Sequence, residues 1–386
     1  MNYEINSEKF NTEILLNKTD VKPFLLLILS VIFIPAAYMF VAAVFIVQAI
    51  KKNISITEKN TIIKLIFFYI LIGILFSQYK LISSIYGIMM VLCLYSFYLL
   101  STSLNPSDLR KIVKLTYIVS IVVFIIGISQ YFSPEFTMPG KWVDADKYQL
   151  SRRVYSTFFN PNILGFYINF IILIVCTNLD LKKINLEWFV FLTGILCLFF
   201  TFSRTSWISL IIAFLIGSIF NKKYLKFAII ISLAIFGMDI ILGIGRMDPG
   251  RAAEDSSLMY RLEIWKACIE IIKDNFITGI GFGTLFKHIS QYSNVVKPNI
   301  EHCHNLYLQI FTETGIIGLS ISLSMFYKMI KKLWNKIHSQ NNAIWITALT
   351  VLAMTMIHGM VDSVFFTPQI LMILSIYAGT LSIADK

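Results

Sequence analysis

The chain has 386 residues, of which 57% are hydrophobic and only 14% charged, with a mean hydropathy of +0.73. That balance excludes an ordinary soluble domain and indicates an all-α integral membrane protein with about 11–12 transmembrane helices. The net charge of +11 gathers in short Lys tracts between apolar runs. This is a membrane-anchoring pattern and gives no reason to expect nucleic acid as a partner.

Met1–Lys22 is a polar tail without the layout of a cleaved signal peptide, and residues 23–386 read as a single polytopic membrane domain. Phe24–Ile50 is too long for one upright helix. Pro35 divides it into two short hairpinned spans, with one tilted span as the rival. Span-length apolar runs follow at Ile62–Ser77, Leu81–Leu100, Ile112–Phe132 and Ile163–Thr177, then at Leu225–Ile244, Leu306–Met329 and Ala343–Ile357. Leu186–Phe220 reads as two short helices broken around Ser203–Arg204. Of the five cysteines, Cys93, Cys176 and Cys197 fall within spans, so only Cys268 and Cys303 could meet outside them.

Basic residues orient these spans. Lys51, Lys52 and Lys59, then Arg110, Lys111 and Lys114, share one side with Lys182, Lys183, Lys222, Lys223 and Lys226, and with Lys328, Lys331, Lys332 and Lys336. By the positive-inside rule that side is cytoplasmic. Six of the seven arginines (Arg152, Arg153, Arg204, Arg246, Arg251 and Arg261) fall in the opposite set. Arg presents a planar fork that grips phosphate through paired hydrogen bonds. Lys inside and Arg outside point to an anionic, lipid-borne substrate at the outer face. The two connections large enough to carry chemistry, 133–154 and 245–303, lie on that face.

Several residues in and beside these connections are candidates. Asn160 before Pro161 is a cap-then-first-turn signal, with Asn162 beside it, and Arg152 and Arg153 lie just upstream. They are either phosphate ligands or headgroup contacts. Arg204 stands between two short apolar helices without an acidic neighbour, where a charge is paired, functional or snorkelling. Leu258–Lys273 has helical period, with Leu258, Leu262, Trp265, Ile269 and Ile272 as its apolar stripe and Glu263, Lys266, Glu270 and Lys273 on its flank and back. Arg261 lies about 60° round on the other shoulder, turned toward protein or membrane. Arg246 and Arg251 read only as steering charge. Thr278–Gly283 resembles a phosphate-cradling loop but follows a helix, so a flexible turn is the better reading.

Glu301-His-Cys-His304 looks like a metal cluster, yet four adjacent residues wrap one tetrahedral ion poorly, and no metal is assigned there. His304 opens a membrane helix at its outer end, where the helix dipole leaves the ring able to accept a proton. His358 and Asp362, spaced i, i+4, share a face near the outer end of the penultimate helix, as a functional pair or as a lock between helices.

In order along the chain, Ser156-Thr-Phe-Phe-Asn-Pro-Asn162, Phe202-Ser-Arg-Thr205, Arg261-xxx-Trp265 with Thr278-Gly-Ile-Gly-Phe-Gly283, and His304-Asn-Leu-Tyr-Leu308 with Gly315 resemble the O-antigen ligase and polysaccharide polymerase superfamily. The match covers about Arg152 to Gly318. The resemblance implies a GT-C-like membrane fold in the bacterial cytoplasmic membrane and glycan transfer from an undecaprenyl-pyrophosphate donor at its outer face. Arginines there bind the pyrophosphate and the His opening the post-loop helix is the base; Arg204, Arg261 and His304 stand at the matching positions. The ligase pattern usually has Ser after that His, where this chain has Asn305.

The expected activity is polymerisation of undecaprenyl-pyrophosphate-linked repeat units into a surface polysaccharide. It needs no cofactor, because arginines can stabilise the leaving pyrophosphate without Mg²⁺. A ligase acting on lipid A-core or another acceptor is the rival, and a flippase for lipid-linked sugars is the alternative from another class. Expected partners are the lipid-linked donor, a glycan or lipid-linked acceptor, membrane lipid, and a flippase and chain-length regulator of the same pathway.

Overall fold

The computed structural model describes residues 27–28, 33–50, 61–133, 152–180, 184–243, 245–248, 256–340 and 343–385. Among them the regular structure is helical, with no strand. In chain order the helices are α1 Ile34–Ile50, α2 Thr61–Leu75, α3 Lys80–Ser103, α4 Leu109–Phe132, α5 Pro161–Asn178, α6 Leu186–Phe200, α7 Arg204–Ser218 and α8 Lys222–Ile241. They continue with α9 Ser256–Asp274, the single turn α10 Leu285–His288, α11 Leu306–Gln340, α12 Ala343–His358 and α13 Pro368–Ala384. Five are long and apolar enough to cross a membrane, namely α3, α4, α5, α8 and α11, and six shorter apolar helices accompany them. The predicted break around Ser203–Arg204 is present, and the predicted amphipathic helix over 258–273 is α9. The two-span reading of Phe24–Ile50 falls partly outside the described residues; α1 begins at Ile34, with Pro35 in its first turn.

The chain divides into two compact units. The smaller comprises Met1–Ile54, Val91–Val119 and Met372–Lys386. Inside it, Tyr95 donates to Gln48 Oε1 at 2.6 Å and the hydroxyls of Ser96 and Ser375 meet at 2.6 Å. The larger comprises Ser55–Met90 and Ser120–Leu371 and holds every candidate residue discussed below.

In the larger unit α7 packs on α8 and α12, α5 on α6 and α12, and α11 on α2, α9 and α12. Two breaks make the site possible. At the α6–α7 turn, Phe202 takes a φ of 49°, and the Trp207 indole N–H donates to the Leu198 carbonyl at 3.0 Å. That carbonyl, at the end of α6, also accepts from the Thr201 hydroxyl at 2.6 Å, so the turn ties α7 back to α6 with no unpaired end carbonyl at Leu198.

The second break is at Gly315, whose φ of 62° and ψ of −167° interrupt α11. Loop 276–283 repairs it. Ile280 and Gly281 N–H donate to the Thr312 and Glu313 carbonyls at 3.0 and 2.8 Å, and Ile316 N–H donates to the Phe276 carbonyl at 2.8 Å. A Cβ at Gly315 would run into the Ile277 carbonyl, so a side chain fits neither the space nor the backbone angle. The Thr278–Gly283 segment is therefore neither a phosphate cradle nor a flexible turn, because its amides are spent on the broken helix and on the Glu313 side chain.

Candidate active site

The site is built from helix ends. Asn160 caps α5, its Oδ1 accepting from the N–H groups of Asn162 and Ile163 at 2.8 and 3.4 Å, with Pro161 in the first turn as the sequence predicts. At the start of α11 the cap is Asn305. Its Oδ1 accepts from Tyr307 and Leu308 N–H, both at 3.0 Å, and its Nδ2 donates to the Met360 carbonyl at 2.8 Å. The Leu306 N–H donates to the Gly359 carbonyl at 2.6 Å. The orphan donors of one helix start thus meet the orphan carbonyls of another helix end. Ser and Asn are near-equivalent caps, so the Asn305 departure from the ligase pattern preserves the structural job. Asn305→Ser should keep normal thermal stability, and Asn305→Ala should lose about 1 kcal/mol, read from melting of the purified protein in detergent.

His304 stands just before this cap and not within the helix, at φ 49°. Among the described residues the other non-glycine positive φ values are at Ser156, Phe159 and Phe202. All four lie within a few residues of the starts of α5, α7 or α11, where the polar groups converge, and such strain collects at functional sites.

Asp362 is the hub. It is 3% exposed. Its Oδ1 lies 3.2 Å from His304 Nδ1 and accepts from Ser363 N–H at 2.9 Å, while its Oδ2 accepts from Asn162 Nδ2 at 2.7 Å. The sequence expectation paired Asp362 with His358 on one helical face, and the structure corrects this. α12 ends at His358 because its next carbonyls are taken by Leu306 and Asn305, so Asp362 lies beyond the helix and turns to His304. His358 is fully buried, its Nε2 lying 3.3 Å from Ser206 Oγ. Ser206 Oγ meets Ser203 Oγ at 2.9 Å, and Ser203 donates to Asn162 Oδ1 at 2.9 Å. One polar chain therefore runs His304–Asp362–Asn162–Ser203–Ser206–His358.

Burial alone would raise the Asp362 carboxyl. The His304 hydrogen bond, with the positive fields of His304, Arg261 and His302, outweighs it and holds the carboxyl well below the usual carboxylate range. Burial, then the neighbouring His304, pushes the His302 imidazole down to about 4. The His302 and His304 rings meet edge to face with centroids 4.1 Å apart.

Four guanidinium groups lie close enough to act on one another, and two of them, Arg153 and Arg261, also act on Asp362. Arg153 donates from Nε to the Thr201 carbonyl at 2.8 Å and from Nη2 to Asn162 Oδ1 at 3.3 Å. Burial, together with the charges of Arg246, Arg261 and Arg204, pushes Arg153 down to about 9 against the opposing pull of Asp362. Arg204 opens α7 and is half-buried. Arg261 is half-buried on α9, with a buried Nε that has no hydrogen-bond partner among the described residues. Arg246 is 9% exposed; its backbone N–H is held by Asp239 Oδ1 at 3.0 Å and its Nη2 donates to the Phe202 carbonyl at 3.3 Å. The steering-charge reading of Arg246 is thus corrected: Asp239, in the last turn of α8, folds it back into the cluster. Arg251 lies outside the described residues. Arg152 donates to the Tyr131 carbonyl in the last turn of α4 at 3.0 Å, a helix-end contact that does not enter the cluster.

The α9 stripe also needs correction. Ile264, Ala267, Cys268 and Ile271 are buried, and of the predicted stripe Ile272 is buried with them, whereas Leu258, Leu262 and Ile269 are exposed. The packed face is turned by about one residue, ~100°, and half-buried Trp265 at its edge donates its indole N–H to the Cys303 carbonyl at 3.0 Å. Arg261 falls between the two stripes and keeps its inward shoulder.

Sequence reasoning passes over Ser203, Ser206, Gln309 and Glu313. Gln309 Oε1 accepts from Cys303 N–H at 2.6 Å, and its Nε2 donates to Glu313 Oε1 at 2.6 Å, which also accepts from Gly283 N–H at 2.7 Å. This relay ties the residue before His304 to the glycine loop. Polar residues recurring inside spans were the available signal.

His302, His304 and Asp362 bring one ligand atom each within 4.8 Å of one another, a donor set that zinc accepts. Both Asp362 oxygens are engaged, and the Arg261 field falls on the same spot, so the surroundings suit an anion better than a cation. Sequence reasoning also passes over Asp144 and Asp146, an Asp-x-Asp pair of hard oxygen ligands in connection 133–154, outside the described residues.

Residues 189–323 match the model of the family described as O-Antigen ligase. The matched segment contains Arg204, Arg246, Arg261 and His304, and the match supports an O-antigen ligase/polymerase-type membrane enzyme. Comparison with curated proteins finds no match.

Proposed function

From the O-antigen ligase family segment at residues 189–323, we propose that this chain is an exofacial glycosyltransferase that polymerises undecaprenyl-pyrophosphate-linked repeat units into a surface polysaccharide. The observation that carries the reading is the gathering of Arg204, Arg246 and Arg261 about Arg153, with Arg153 and Arg261 also acting on the buried Asp362 that holds His304. Positive charge in excess of a single carboxylate, on side chains that are buried or half-buried, is matched to a pyrophosphate.

His304 is the base and Asp362 orients it. With Nδ1–H donating to Asp362, the lone pair on Nε2 takes the proton of the acceptor hydroxyl. The side chain of His304 is 15% exposed and that of Asp362 only 4%, so an acceptor reaches the imidazole and not the carboxylate. The acceptor oxygen bonds to the anomeric carbon, the bond from that carbon to the pyrophosphate oxygen breaks, and the arginines stabilise the charge that departs.

Outward orientation is supported by sidedness. Lys222, Lys223 and Lys226 open α8, at the opposite end from Asp239 and Arg246, and Lys331, Lys332 and Lys336 lie toward the end of α11 opposite His304.

The printed family description favours a second reading, a ligase that moves finished glycan to a terminal acceptor. A gel of lipid-linked glycans from a deletion strain separates the two: single repeat units on the carrier indicate polymerase, and full ladders retained there indicate ligase. Normal glycans on both carrier and surface would overturn the transferase reading. Arg204→Lys and Arg261→Lys should each lower chain extension about 10-fold or more, because the ammonium loses the bidentate fork. Wild-type ladders in both variants would remove them from the pyrophosphate site.

A further inference from the structure

Cys268 lies on α9, two turns beyond Arg261, and Cys303 directly precedes His304. Their sulfurs are 2.9 Å apart, and both residues are fully buried in a cluster with Ile264, Ala267, Ile271 and Leu285. That separation is inside the ~3.5–4.0 Å of ordinary non-bonded carbon contact and within about 1 Å of the ~2.05 Å of a disulfide. Both are thiols in this structure. The supports are already rigid: Cys303 N–H is bonded to Gln309, and its carbonyl to Trp265 of α9.

We propose that Cys268 and Cys303 are joined by a disulfide in the mature protein, a covalent strap from the Arg261 helix to the residue before His304. The inference rests on the outward orientation proposed above, since a pair facing the cytoplasm stays reduced. The bond forms by exchange with the disulfide of an exported dithiol oxidoreductase. One cysteine thiolate attacks that disulfide to give a mixed disulfide, and the other displaces the oxidoreductase as its dithiol. The protein sulfurs are oxidised, the oxidoreductase sulfurs are reduced, and the two protons end on the latter. Burial pushes the Cys303 thiol well above the usual thiol range. Exchange therefore belongs to the stage before α9 docks, and the finished bond is shielded from reductant. The strap would keep a pyrophosphate ligand and the base on one frame.

The test counts thiols. Membranes from expressing cells are acid-trapped, unfolded in detergent and reacted with a maleimide polymer that adds one gel shift per thiol. Of the five cysteines, three should react without reductant and five after it, and Cys268→Ser should show four under both conditions. Five shifts in the unreduced wild type overturn the proposal. In parallel, the exposed position 297 is probed as Lys297→Cys with a membrane-impermeant maleimide on intact cells. Labelling there, with all five native thiols free, sinks the disulfide and leaves the orientation standing. No labelling in intact cells, with labelling after permeabilisation, sinks the orientation and the disulfide with it.

Discussion

Cells carrying His304→Ala should accumulate the protein in their membranes at normal levels while surface glycan extension falls by about 10²–10⁴-fold, the usual contribution of a positioned general base. Separation of the two readouts is expected because, among the described residues, the His304 side chain hydrogen-bonds to Asp362 alone, while the start of α11 is held by Asn305. Losing the imidazole leaves the cap and the α11–α12 clasp intact. Ladder formation measured on the lipid carrier, with the protein quantified in the same membranes, checks this. Near-normal polymer would show that His304 is not the base.

Asp362→Asn should cut transfer by at least about 10² and should destabilise the fold more than His304→Ala, which leaves the carboxylate its Asn162, Ser363 and arginine partners. The carboxylate acts on Arg153, Arg261, His302 and His304 together. Breaking a buried ion pair by removing one partner costs about 3–5 kcal/mol. The neutral amide also no longer favours the tautomer that leaves Nε2 free. The pH dependence follows from the shift in Asp362. Its folded value lies well below its unfolded value near ~3.9, so its stabilisation is fully present above that value. It is lost only as pH falls further, toward the folded value. Melting of the wild type in detergent should therefore lose this contribution only in strong acid, and Asp362→Asn should remove it already at pH 7. If Asp362→Asn extends glycan normally, the carboxylate does not orient the base.

Much of this architecture is legible from local chemistry. The apolar runs, the break at Ser203–Arg204, the Asn160–Pro161 cap and the amphipathic period of 258–273 each depend on a few neighbouring residues, so one sequence reveals them. Proximity between distant segments is another matter. Nothing local marks Asp362 as the partner of His304 and not of His358; that follows from where α12 stops, and α12 stops where Asn305 and Leu306 claim its carbonyls. The stretch around Arg246 does not by itself return that residue to the cluster; Asp239, seven residues earlier in α8, does. The glycine loop reads as flexible until Gly315 is seen to break α11 and to require those amides.

The sequence by itself determined the membrane class, the break in the 186–220 segment and the candidacy of His304, Arg204 and Arg261, because hydropathy, charge and capping act over one or two turns. The tertiary structure alone decided which arginines converge, which carboxylate holds the histidine and how close Cys268 and Cys303 come. Those depend on helix ends that meet far apart in the chain, where orphan backbone groups and buried charges must find partners or leave the fold unstable.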